Sequence, residues 1–336
     1  MKINILLYRF LQWKNHLIPP LFVVVYIFFP FHLAETRHYI QLVCYILAIF
    51  FISFFGYWVN DSFDISLDKK AGKFNFLDQT TPIFRLMGAV IIASMAFLFW
   101  FLTNPPLIAT FFFFSELILF TIYSIPVIRF KNHPVLGPLL DAHYTHIFPV
   151  FFTYFLFASS AFQSWLLVLY LLLLCKGLRN IFLHQLQDRK GDAFMQLKTF
   201  PIVTGPLFTV RLINRIIIPI EIILITLITF IFTKLSWYPL LVWIVFLLMY
   251  CLFFSCWDFY YMYSHNKRYF LFKFHYFLND YYEFWLPFLA IWTSVLNFQT
   301  KIILSVIHLL IFNKTIQYFQ KLIFKIFSNL GIIKNK

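Results

Sequence analysis

Apolar runs long enough to cross a bilayer as helices recur along the whole of this chain, and they leave few folds open. Helical spans are predicted at 17–33, 39–59, 83–103, 107–127, 136–158, 162–181, 213–233, 237–257 and 284–304. In hydrocarbon every backbone N–H and C=O must be satisfied by a helix or a closed barrel, and runs of about 20 residues are helix length. Only 12% of the 336 residues are charged against 62% hydrophobic, too little charge to coat a soluble domain. The expectation is an all-α integral membrane protein of about nine transmembrane helices. Residues 1–300 form one polytopic domain, and 301–336 a basic C-terminal segment that lies in the interface or adds a span.

The formal charge of +14 reads as membrane topology. Upstream of residue 301, only Arg37 and Lys234 fall opposite the N-terminus; the other Lys and Arg are assigned to its own side. That bias predicts a cytoplasmic N-terminus and a multi-pass protein of the inner (plasma) membrane, attracted to anionic membrane lipids. No basic patch sits in a soluble domain, so no nucleic acid is expected as a partner. Residues 1–20 lack a cleavable signal pattern. Cys44, Cys175, Cys251 and Cys256 lie in apolar segments without metal-ligand spacing and read as small buried hydrophobes. The interior comes out almost free of charge; Glu116, Asp141 and Glu221 fall within spans and should be neutral, paired or facing a cavity.

Against this background the acidic residues cluster. Asn60-Asp61-Ser62-Phe63-Asp64-Ile65-Ser66-Leu67-Asp68 closes the second span, and helical spacing turns Asp61, Asp64 and Asp68 toward one side. A second element, His184-Gln185-Leu186-Gln187-Asp188-Arg189-Lys190-Gly191-Asp192, follows the sixth span. Asp64 and Asp68 share the i,i+4 spacing of Asp188 and Asp192 and lie 124 positions upstream, which suggests two pseudo-repeated four-helix halves. Facing carboxylate pairs repel unless a cation joins them. Mg²⁺ is held by one or two carboxylates plus substrate phosphate oxygens, so the pattern implies a phosphate-bearing substrate. Lys69, Lys70, Lys73, Arg129, Lys131, Arg189 and Lys190 lie where such a substrate would need cations. Tyr123-Ser124-Ile125-Pro126 ends the fourth span, with Pro126 as the breaker and the Tyr123 hydroxyl near the phosphate. Asp141 supports the site or meets an acceptor. His184 reads as a ligand, acid/base or polar contact, and Gln185 and Asn60 as amide-oxygen ligands or orienting partners. Some of the 49 Phe rings line an apolar tunnel and face a developing allylic cation.

At these motifs the chain resembles the UbiA superfamily of intramembrane prenyltransferases. Residues 60–68 fit that family's N-D-x-x-D-x-x-x-D signature and 188–192 its D-x-x-x-D. Tyr123 to Pro126, followed by Arg129, Lys131, Leu136-Gly137 and Asp141-Ala142, is similar to its fourth-span exit, and the order agrees over about residues 9–290. The resemblance implies nine helices around a central cavity, with both acidic elements at a cytoplasmic cap. It also implies Mg²⁺ as cofactor and transfer of a prenyl group from a polyprenyl diphosphate to an aromatic, lipid or other small-molecule acceptor. Carried over, Asn60, Asp64, Asp188 and Asp192 form the metal shell with Asp61 and Asp68 in support; Asp64, Asp188 and Asp192 are the catalytic set. Lys73, Tyr123, Arg129 and Lys131 hold the diphosphate, and Asp141, His184 and Gln185 complete the substrate site. His184-Gln185 departs from the Asp or Asn of many relatives. Residues 9–15 are similar to relatives that transfer phosphoribose onto a polyprenyl phosphate, which is one alternative; a cation-coupled transporter is another, and a silent lipid-binding relative a third.

Overall fold

A computed structural model describes residues 17–31, 35–70, 72–158, 163–232, 278–294 and 296–329, with short pieces between 240 and 272. Helix α1 (Ile18–Phe28) starts on Pro19 and Pro20, whose missing N–H groups cost nothing in a first turn. Helix α2 (Thr36–Lys70) leads to α3 (Pro82–Leu102), capped by the Thr81 hydroxyl accepting from the Phe84 N–H. Helix α4 (Leu107–Ser124) stops two residues before Pro126, as expected of a residue run that meets proline. A single 3₁₀ turn (Phe130–Asn132) precedes α5 (Leu136–Ala142) and α6 (Phe148–Phe157). Helix α7 (Trp165–Phe194) is followed by α8 (Phe200–Thr204), α9 (Pro206–Leu212) and α10 (Ile218–Phe232). Strands β1 (Phe259–Ser264) and β2 (Lys267–Phe272) pair antiparallel with Phe259 opposite Phe272. Helices α11 (Leu286–Thr293), α12 (Phe298–Ile311) and α13 (Asn313–Asn329) complete the chain.

Three of these rods contain a π-helical turn, and each has the same cause. The turns are His143–Ile147, Ile213–Ile217 and Tyr281–Trp285, and each ends two residues before a proline, Pro149, Pro219 or Pro287. Proline withdraws one N–H and its ring strikes the carbonyl four residues back, so the preceding turn widens. The residue before each proline donates five residues back instead of four: Phe148 to His143, Ile218 to Ile213, Leu286 to Tyr281.

Five helices among the described residues are long and apolar enough to cross a membrane, or six with α12 and α13 counted together across their 93° bend. Against the nine expected spans, the first and the ninth differ in extent. The first is an 11-residue helix. The eighth, 237–257, lies mostly outside the described residues, as do Cys251, Cys256, Lys234 and residues 9–15. The ninth breaks at Ser294 because Asn297 caps a new helix, its side chain accepting from the Thr300 N–H at 2.8 Å. On α3, Ile83, Leu86, Met87, Val90, Ile91 and Leu98 are all more than half exposed, an apolar face suited to lipid and not to water. Trp58 closes the α2–α3 seam. A Cβ on Gly88 would lie 2.1 Å from its ring, so only glycine permits the contact.

The expectation of a nearly uncharged interior fails. Lys176 and Arg179, which the topology count assigns to a connection, sit inside α7, 2% and 0% exposed. Arg179 Nε and Nη2 donate to Glu221 of α10 at 2.7 and 3.0 Å, and Nη2 also donates to Asn279 Oδ1 at 3.0 Å. Of the three states expected for Glu221, neutral, paired or facing a cavity, the structure shows the paired one, against a guanidinium fork. The Lys176 ammonium lies 4.5 Å over the Tyr282 ring. Hydropathy misses these charges because their cost is cancelled by partners on other helices. Glu221→Ala should remove the carboxylate that accepts from two Arg179 donors inside the bundle and cost about 3–5 kcal/mol of stability. Thermal unfolding in detergent would read the loss, and Arg179→Leu in the same chain should recover much of it.

Candidate active site

The two longest helices carry the acidic elements. A 35-residue helix is about 52 Å long and a 30-residue helix about 45 Å, against a hydrocarbon core of about 30 Å, so the ends of α2 and α7 extend past the apolar slab. Between those ends lies a chamber of about 520 Å³. Its lining includes Asn60, Asp61, Asp64 and Asp68 from α2, and His184, Gln185, Asp188 and Asp192 from α7. Lys73, Tyr123 and Lys131 line it as well. The residues expected to act together from two distant stretches of sequence therefore share one space.

Cations already face the carboxylates. Arg129 Nη2 donates to Asp64 Oδ1 at 3.0 Å, and the Lys131 ammonium donates to the same oxygen and, at 3.4 Å, to Asn60 Oδ1. Arg129 reaches it from a left-handed backbone (φ 41°), an uncommon conformation for a residue with a Cβ and one found where a turn must aim a side chain. Burial pushes the Lys131 ammonium down from its ordinary value, and the Asp64 carboxylate opposes that shift. Lys73 bridges to Asp188 Oδ2 at 3.8 Å and His184 Nε2 lies 3.6 Å from the same atom; these groups are water-facing, so the contacts are weak.

Residues that sequence reasoning missed hold the carboxylates in place. Asn75 Nδ2 donates to Asp68 Oδ2 at 2.9 Å and to the Asp61 carbonyl at 2.8 Å, while its Oδ1 accepts from the Leu77 N–H. Thr199 Oγ1 donates to Asp192 Oδ2 at 3.1 Å. Both lie in the connections after the acidic helices, where a polar residue carries no pattern to mark it. The buried Gln185 Oε1 and Asn132 Oδ1, both in the chamber's lining, have no hydrogen-bond partner among the described residues.

Among the described residues no three His, Cys, Asp or Glu side chains group tightly enough to enclose a metal by themselves. Carboxylates in pairs with amide oxygens nevertheless fit a hard cation such as Mg²⁺ when a phosphate completes the shell.

A second chamber of about 560 Å³ continues from the first, sharing Tyr57, Asn60, Tyr123, Ile181 and His184. Asp141 lies here, its Oδ1 accepting from the Tyr144 hydroxyl at 2.6 Å, and the Tyr123 ring meets Tyr144 at 5.2 Å. Asn75→Ala should release Asp68 and the α2 terminus together, lowering stability by about 1–2 kcal/mol as read by thermal unfolding without added metal.

Comparison with known proteins gives the fold and the family. Over 86% of this chain and 98% of the other, the fold matches a UbiA homolog from Archaeoglobus fulgidus bound to DMAPP and Mg²⁺ (TM-score 0.62, 14% identity). The same homolog bound to GPP and Mg²⁺ matches with a TM-score of 0.57 at 15% identity, over 86% and 98% of the two chains. No curated protein sequence gives a significant match. The sequence model of the UbiA prenyltransferase family matches residues 17–279, a stretch that contains both acidic elements, the Arg129–Lys131 turn and both chambers' α2 and α7 walls. The chain belongs to the UbiA prenyltransferase family and is, by that membership, a prenyltransferase.

Proposed function

We propose that the protein transfers a prenyl group from a polyprenyl diphosphate to an acceptor within the membrane, with Mg²⁺ as cofactor. One observation carries the reading: acidic side chains from two helix ends and the cations Lys73 and Lys131 line a single chamber that opens into a second, less polar one. The structurally similar homolog is described with prenyl diphosphates and Mg²⁺, which supports the same pairing here.

In this reading Asn60, Asp61, Asp64 and Asp68 of α2 and Asp188 and Asp192 of α7 would hold the metal. Mg²⁺, when bound, neutralises the diphosphate as negative charge builds on it. Arg129 and Lys131 are held by Asp64 and turn toward phosphate oxygens when the donor arrives. Lys73, from the connection after α2, reaches across toward Asp188 of α7. The C1–O bond of the donor breaks with its electron pair on the diphosphate; the acceptor supplies a pair to C1 and releases a proton. Tyr123, at the junction of the chambers, contacts the leaving group. Gln185 and His184 flank it, and Asp141 faces the acceptor side. Aromatic walls and the surrounding lipid exclude water from the allylic cation. The site lies at the cytoplasmic face of the plasma membrane, with the N-terminus on the same side.

Geranylgeranyl diphosphate should bind the detergent-purified protein with Mg²⁺ and lose most of that affinity in EDTA, as measured by equilibrium binding. Asp188→Ala should remove the metal dependence and reduce prenyl transfer by roughly 10²-fold or more while the protein still folds. Lys131→Ala should weaken donor binding by about tenfold, the size of one charge-assisted hydrogen bond. Metal-independent binding that Asp188→Ala leaves intact would overturn the assignment.

A further inference from the structure

The second chamber has a polar floor that the prenyl-diphosphate reading does not use. Asn180, Thr145 and His146 line it. Asn180 is one turn of α7 before His184 and two turns before Asp188, about 6 and 12 Å along the helix axis. Its orientation is fixed: Oδ1 accepts from Arg179 Nη1 at 3.1 Å, and Arg179 is itself locked by Glu221 and Asn279. The amide nitrogen must then point the other way, 3.4 Å from His146 Nε2. An amide nitrogen has two hydrogens. One faces the imidazole, and the other is available to a ligand. The π turn His143–Ile147 brings Tyr144, Thr145 and His146 together into the same lining, and Gly177 lets α7 approach closely enough, since a Cβ there would lie 2.7 Å from the Ala142 backbone.

A prenyl tail resting on this floor would press hydrocarbon against the Asn180 amide hydrogen that does not face His146 and leave that donor without an acceptor, which is unfavourable. Among the described residues, this chamber's lining holds Asp141 and no Lys or Arg, so a carboxylate or phosphate would meet an acidic side chain and no permanent cation there. We propose that Asn180, with Thr145 and His146, is the acceptor subsite, and that it takes an uncharged acceptor whose hydroxyl or carbonyl oxygen accepts from the Asn180 amide. Arg179 and Glu221 are positioning residues for that amide. The inference rests on the prenyl-transfer reading above. It sends the prenyl chain away from the floor and assigns acceptor specificity to α7 and the first π turn.

The test uses the full-length protein saturated with Mg²⁺ and geranyl S-thiolodiphosphate, a donor analogue that does not ionise readily. Hydroquinone is then titrated calorimetrically as an uncharged probe, and 4-hydroxybenzoate as its anionic counterpart. Hydroquinone should bind more tightly than 4-hydroxybenzoate, and Asn180→Leu should weaken it about tenfold, the loss expected for one buried hydrogen bond. Thr145→Val, which keeps the side-chain volume, should weaken it less. Both variants should hold the donor analogue as the unaltered protein does, which also reports that they fold. Equal hydroquinone affinity in both variants, no hydroquinone binding, or tighter 4-hydroxybenzoate binding would overturn the proposal. Failure of the unaltered protein to bind the donor analogue would overturn the prenyl-diphosphate reading itself, and this inference with it.

Discussion

An ion pair with no access to solvent, Arg179 with Glu221, fixes where α7 can sit. A guanidinium inside an apolar bundle is tolerated only where its donors are taken, and here Glu221, Asn180 and Asn279 take them from three directions. That arrangement sets the rotation of α7 about its own axis. Once the rotation is set, residues at four-residue intervals share a face, so Asn180, His184, Asp188 and Asp192 follow from the floor of one chamber to the mouth of the other. The pair is sealed and bidentate, which suits a scaffold and not an ion pathway.

The mouth of the site is built on opposed charge. Five carboxylates on α2 and α7 would repel one another in isolation, and the fold answers with Arg129 and Lys131 from a single tight turn. Asp64 thus enters the reaction with its electrostatic environment already arranged, so less reorganisation remains when charge develops on a substrate. Asn75 and Thr199 do the same for Asp68 and Asp192 with neutral donors.

The acidic elements, the stop at Pro126 and the cations beyond it were legible in the sequence because each is a local pattern read against an apolar background. Their shared chamber followed from helical periodicity and the common offset. Asn75 and Thr199 were not legible, since their role depends on loops folding back onto helix ends. Lys176 and Arg179 were misread outright: a count of positive residues treats every cation as belonging to water, whereas these two are matched by Glu221 and the Tyr282 ring, 42 and more positions away. The extent of the ninth span was misjudged for a related reason: hydropathy measures how oily a run is, not whether Asn297 starts a new helix within it.

Each proline-driven π turn amounts to one residue more than a regular helix needs, and one residue is worth about 100° of rotation. The half-helices on either side of Pro149, Pro219 and Pro287 are therefore phased separately, like two dials on one shaft. Among homologues, single-residue gaps should concentrate at these three places. A lineage could in this way re-aim the side chains on one side of a turn while those on the other side kept their register.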